Sequence, residues 1–135
     1  KDFTKYADKL IVEINTWALS DHFTDDEIHS LRKLLKDLMY NISLYKGAEQ
    51  KILSTQIFKE INEKEIEILL NELGEFQDKC RSIDLISLYW LNQLNSKSQQ
   101  ELSGIRKKWI KEKSAMRKKL EQRIKNIHLS PVFHS

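Results

Sequence analysis

Cysteine, proline and glycine are all scarce in this chain. Cys80 is the single cysteine, so no disulfide can form within it. A chain without that staple fits a reducing compartment, and an intracellular location is expected. Pro131 is the single proline and lies after all patterned sequence, and glycine occurs only at Gly47, Gly74 and Gly104. So few turn-formers exclude a hairpin-rich sandwich or barrel. No apolar run approaches the ~18 residues of a membrane-spanning helix. The sequence opens on Lys1 without a signal-like segment and reads as a piece of a longer protein. A glycine-rich phosphate loop, paired metal-ligand cysteines and the spacing of a calcium loop are also missing.

Charge is abundant and unevenly placed. Between Arg106 and Lys125 stand ten Lys or Arg and two acids, Glu112 and Glu121, a local balance of +8. The whole chain is only +3, so the remainder is acidic, −5 by difference. An acidic body with a basic end points to a polyanionic or acidic partner.

Apolar residues recur with helical spacing from end to end. Phe3, Ala7, Leu10, Ile14 and Trp17 mark one face of a first helix. Thr24 and Glu27 form a capping box, flanked by a Phe23–Ile28 staple. The stripe that follows is Ile28, Leu31, Leu35, Leu38, Ile42 and Tyr45, and Gly47 stands where a left-handed cap is expected. A shorter helix is predicted from about Ala48 to Ile61, the alternative being a continuation of the second helix through Gly47. Asn62 and Glu65 then start a stripe of Ile66, Leu69, Leu73, Phe76, Cys80 and Ile83, with Trp90 and Leu94 in register. Ser82 and Asp84 offer a break, after which Leu85–Leu94 reads as a short helix buried all round. Ser98 and Glu101 cap the last helix, whose stripe is Leu102, Ile105, Trp109, Met116, Leu120, Ile124 and Ile127. Lys107, Lys111, Lys118 and Lys125 form a row opposite it, roughly 27 Å long. The fold class is therefore all-α: an antiparallel helical bundle of five or six helices with a long basic C-terminal helix. One domain covers 1–128, and 129–135 is an unstructured tail.

Catalytic chemistry has little to work with. His128 and His134 fall in the tail with nothing to hold them, and His22 sits in a turn. Asp26 and His29 form a single D-x-x-H pair, short of the ligand set of a di-iron bundle. The bland reading is an acid that complements the helix dipole beside a surface histidine. Cys80 sits on a core stripe as a small hydrophobe. Glu60, Glu63, Glu65 and Glu67 read as a solvated face. No catalytic residue, metal or cofactor is expected, and the protein reads as non-enzymatic.

The heptad-spaced stripes from Phe3 to Leu94, with Trp17 in the first helix, resemble a spectrin-type three-helix bundle. The tryptophan of that family's third helix is Phe76 here, or is displaced to Trp90. The run Leu34-Leu35-Lys36-Asp37-Leu38, then Thr55-Gln56-Ile57 and Trp90, resembles the helical N-terminal domain of transcription elongation factors. That likeness would imply binding of short disordered peptides and a nuclear role. Phe58 stands where that family has glycine, and the spacing to Trp90 is longer. No residue role is carried over from either family.

Two binding readings remain. The first is a protein–protein interaction or assembly module that takes a partner helix or peptide, with an apolar groove near Trp90 or Trp109 as its site. The alternative is nucleic-acid binding through Lys107, Lys111, Arg117, Lys118 and Lys125, with Trp109 free to stack on a base. A membrane partner is disfavoured, because Lys113 interrupts the narrow apolar stripe.

Overall fold

The computed structural model describes residues 2–92 and 95–132, with side chains from Thr4 onward. Among the described residues it is all-helical, with no strand and five helices: α1 (Asp2–Trp17), α2 (Asp25–Ser43), α3 (Gly47–Ile57), α4 (Glu63–Leu91) and α5 (Ser96–Lys125). None is long and apolar enough to cross a membrane.

Local chemistry sets most of the boundaries. The Thr24 hydroxyl accepts from the Glu27 amide, and the Glu27 carboxylate accepts from the Thr24 amide. Two otherwise orphaned donors are thereby satisfied at the start of α2. Asn62 caps α4 by accepting from the Lys64 amide. Gly47 does adopt positive φ, +61°, but it opens α3 rather than closing α2. α3 ends at Ile57, four residues short of the expected Ile61.

Helix α2 is the centre of the core. Leu31, Leu35 and Leu38 are fully buried, and Ile28 and Ile42 nearly so. Around them pack Leu10, Ile11 and Ile14 of α1, Ile66, Leu69, Leu73 and Phe76 of α4, and Leu120 and Ile124 of α5. Between α4 and α5, Glu72 meets Lys119 and Arg123, Lys79 meets Glu112, and Ser87 meets Arg106. Rising numbers on one helix meet falling numbers on the other, so these two run antiparallel.

Three expectations are corrected. α4 is one continuous helix of 29 residues, with no break at Ser82 or Asp84. Its end is not buried all round, since Leu85, Leu88, Tyr89 and Leu91 are all more than half exposed. The last helix is capped by Asn95, which accepts from the Lys97 amide, and so starts before Ser98. Leu94 and His134 lie outside the described residues, as do residues 133–135 of the expected tail.

The segment after His128 has no regular secondary structure, yet its described part is anchored rather than loose. Leu129 is fully buried. Its amide and carbonyl are both bonded by the Asn15 side chain, at 3.0 and 2.8 Å. The Ser130 amide donates to the Ile57 carbonyl, and the Val132 amide to the Asp8 carboxylate. His128 Nε2 lies 2.6 Å from Glu60 Oε2, so this histidine is held as well. The segment thus ties α5 back to α1 and α3.

Candidate interaction surface

The cations of α5 divide into two sets. Those facing the body are paired. Lys113 and Arg117 both bond the Asp25 carboxylate at the start of α2. Arg117 also donates to the Phe23 carbonyl at 2.9 Å and lies over the Phe76 ring. Glu121, only 8% exposed, accepts from the Phe23 amide at 2.9 Å. α5 therefore grips both polar groups of one residue in the α1–α2 turn. Lys125 pairs with Asp21, and Lys119 with Glu72. Arg123 Nε sits 2.6 Å from Glu72 Oε1, close enough to pair as charges though off hydrogen-bond geometry. The acidic body seen in the composition is neutralised here by its own basic helix. Lys97, Lys107, Lys108, Lys111 and Lys118 are exposed and make no side-chain bond or ion pair among the described residues.

Of the five residues singled out for nucleic acid, Arg117 and Lys125 are thus engaged internally, while Lys107, Lys111 and Lys118 are not. Trp109 does not join them. Lys107 and Lys111 each stand two residues away, about 160° around the helix. The indole is half-buried beneath the Lys79 ammonium, 5.5 Å from the ring centroid. Trp90 is 37% exposed near the end of α4. The α4–α5 register sets it level with Leu102, about two turns and ~10 Å along the axis from Trp109. The two tryptophans share one hairpin but not one spot.

That hairpin outruns the body. α2 is 19 residues long and α4 is 29, a difference of roughly 15 Å. The main core includes α4 as far as Phe76, with Cys80 packed against it, and α5 from Met116 onward. Ile83 and Ile86 are buried but lie outside that core. They seal α4 against α5 along an arm beyond it. The α4 ridge that meets α2 runs through Leu73, Gln77 and Cys80. At the same three- and four-residue spacing it continues as Asp84, Leu88 and Leu91, beyond the first turn of α2, where α2 no longer covers it. Leu88 and Leu91 are 58% and 68% exposed, and Ile110 of α5 is 37% exposed on the same side of the arm. Sequence reasoning named the neighbouring tryptophans but missed these leucines; the i, i+3 spacing of Leu88 and Leu91 on an α2-facing ridge was the available signal.

At the N-terminal start of α2 a cavity of about 300 Å³ opens between it and the arm, lined by Asp25, His29, Phe76, Cys80, Asp84 and Lys113 among others. No group of three metal-ligating side chains occurs among the described residues. Burial pushes the Cys80 thiol up, and the nearby Asp25 carboxylate adds to this. We expect Cys80 to react with iodoacetamide at pH 7 several-fold more slowly than an unstructured thiol, as stopped-time mass spectrometry would show. Labelling at the free-thiol rate would contradict its placement.

Burial raises the pKa of Asp25, but hydrogen bonds from Lys113 and Arg117 and their charges outweigh it, leaving the carboxyl below its ordinary value of 3.8. A depressed folded-state pKa stabilises the fold fully above the unfolded value. That contribution fades as pH falls through the folded value. Thermal melts from pH 6 to pH 2 should show an acid-side loss that is smaller in Asp25→Asn, which is less stable at pH 6 to begin with. Parallel loss in both proteins would remove Asp25 from the explanation.

No family model matches this chain, and no curated protein or solved structure matches it either. Its functional reading rests on geometry.

Proposed function

We propose that this protein is a non-enzymatic, intracellular protein–protein interaction or assembly module. In this reading the five helices form an antiparallel bundle, and the α4–α5 arm presents its apolar end to a partner helix. The carrying observation is the uncovered pair Leu88 and Leu91, one turn apart on the α2-facing ridge of α4, with Ile110 of α5 exposed on the same side of the arm. Single exposed apolar residues are ordinary, whereas a contiguous patch rimmed by polar groups is characteristic of a binding surface. The partner helix would lie in line with α2, on the ridge that α2 covers further down, with Leu88, Leu91 and Ile110 as its contacts.

Leu88→Ser/Leu91→Ser should change stability by no more than about 0.5 kcal/mol per site, because both side chains already face water. The same variant should lose at least 10-fold in retention of a partner captured by the intact protein, and that retention should survive high salt. Capture coupled to urea unfolding measures both. A partner held equally well by the variant would overturn the reading.

A further inference from the structure

The outer edge of α5 is a second surface, independent of the arm's apolar end. At about 100° per residue, Lys97, Lys107, Lys108, Lys111, Lys118 and Lys125 fall within one arc of roughly 100° along the helix. The other residues of that arc are Gln100, Gly104, Ala115 and Gln122. It contains no acid and no large apolar side chain. Every internal ion pair of α5 is made outside this arc except the one between Lys125 and Asp21, both exposed. Apart from Lys125, the lysines of this arc are therefore not the body's own counter-charge, and among the described residues the body supplies no acids to them. Gly104 is unexplained by folding. It sits inside a helix, where glycine is unfavourable, and nothing lies within 4 Å of where a Cβ would be. What a bare backbone does provide is close approach for something outside.

We propose that this edge binds the phosphate backbone of nucleic acid, with Lys97, Lys107, Lys108, Lys111 and Lys118 as its phosphate contacts and Gly104 as the point of closest approach. The chemistry favours this partner over a lipid surface, because an inserting helix needs bulky apolar residues beside its lysines, and this arc has none. It favours a regular polyanion over a folded acidic protein, because the charges form a straight row on a rod, without an aromatic anchor or arginine fork among them. Lysines act on phosphates as point charges, so sequence preference should be weak. The Trp109 ring, facing the other way, takes no part.

The test is fluorescence anisotropy of the intact chain with labelled 30-nucleotide single-stranded and duplex DNA and RNA, from 50 to 200 mM salt. Five phosphate contacts on a duplex predict an affinity loss of roughly 10²–10³-fold over that range. Substituting all five lysines with Gln should abolish binding and flatten the salt slope, while circular dichroism and Tm stay as in the parent, since these side chains hold nothing in the fold. Gly104→Leu should weaken binding several-fold without removing a charge. Leu88→Ser/Leu91→Ser should bind nucleic acid as the parent does, which separates this site from the arm's apolar end. No binding at 50 mM salt, or undiminished binding by the five-lysine variant, would overturn the proposal. So would tighter binding to phosphatidylserine vesicles or to polyglutamate than to any nucleic acid.

Discussion

Phe76→Ala should destabilise the protein by about 3–5 kcal/mol. Phe76 is 1% exposed and sits where α2, α4 and α5 meet. Its removal deletes a large buried side chain and leaves a hole between three rigid helices. Collapse of that hole is hindered on two sides. The Arg117 guanidinium rests over the ring and is itself held by Asp25 and the Phe23 carbonyl. A cavity already opens beside Phe76 at the start of α2, so the loss would enlarge it rather than close it. The cation–π contact with Arg117 disappears as well, a further contribution of order 1 kcal/mol. Urea unfolding followed by circular dichroism gives the number. A loss near 1 kcal/mol would mean that α5 settles into the space, and that its attachment to the body is softer than the bonds to Phe23 and Asp25 indicate.

Periodicity made the helices legible, and side-chain chemistry made some of their starts legible. The capping box at Thr24 and the stripes that include Ile28, Leu35, Leu73 and Leu120 are where the sequence places them, because those signals are local or repeat along one helix. What failed depended on distance in the chain. Leu85–Leu91 looks like buried sequence because apolarity reports what wants covering, not whether any other element is long enough to cover it. Ser98 and Glu101 had the form of a cap, but Asn95 is as good a cap residue. Two cap-like residues three positions apart leave the start of such a helix open to either, and a local motif does not choose between them. The anchoring of Leu129 was invisible, since an Asn15 side chain and the Ile57 carbonyl hold an irregular segment through its backbone. For the candidate surfaces, the sequence located the lysine row and the two tryptophans. It did not tell Lys111, which has no partner among the described residues, from Arg117, which is bound to Asp25, because that difference is set by the docking of α5 on the α1–α2 turn.

Glu121→Ala should cost about 1–3 kcal/mol, against less than about 0.5 kcal/mol for Lys118→Ala on the same helix. The two stand three positions apart, and their surroundings differ completely. Glu121 is buried and is the acceptor for the Phe23 amide, itself 5% exposed in the turn between α1 and α2. Taking the carboxylate away leaves that amide buried without its acceptor, and an orphaned buried donor costs its full desolvation. Lys118 extends into water from the outer edge and leaves nothing behind. Arg117 holds the carbonyl of the same Phe23, so the two side chains clamp one residue from both polar ends. Their losses should not add: once either is gone the turn can shift, and the second bond is worth less. A double-mutant cycle on Glu121→Ala and Arg117→Ala should therefore show a coupling of at least 0.5 kcal/mol. Strict additivity, or a Glu121→Ala cost no larger than that of Lys118→Ala, would mean that the clamp is not what fixes α5 to the body. The orientation of the arm and of its lysine edge, both carried by α5, would then need another anchor.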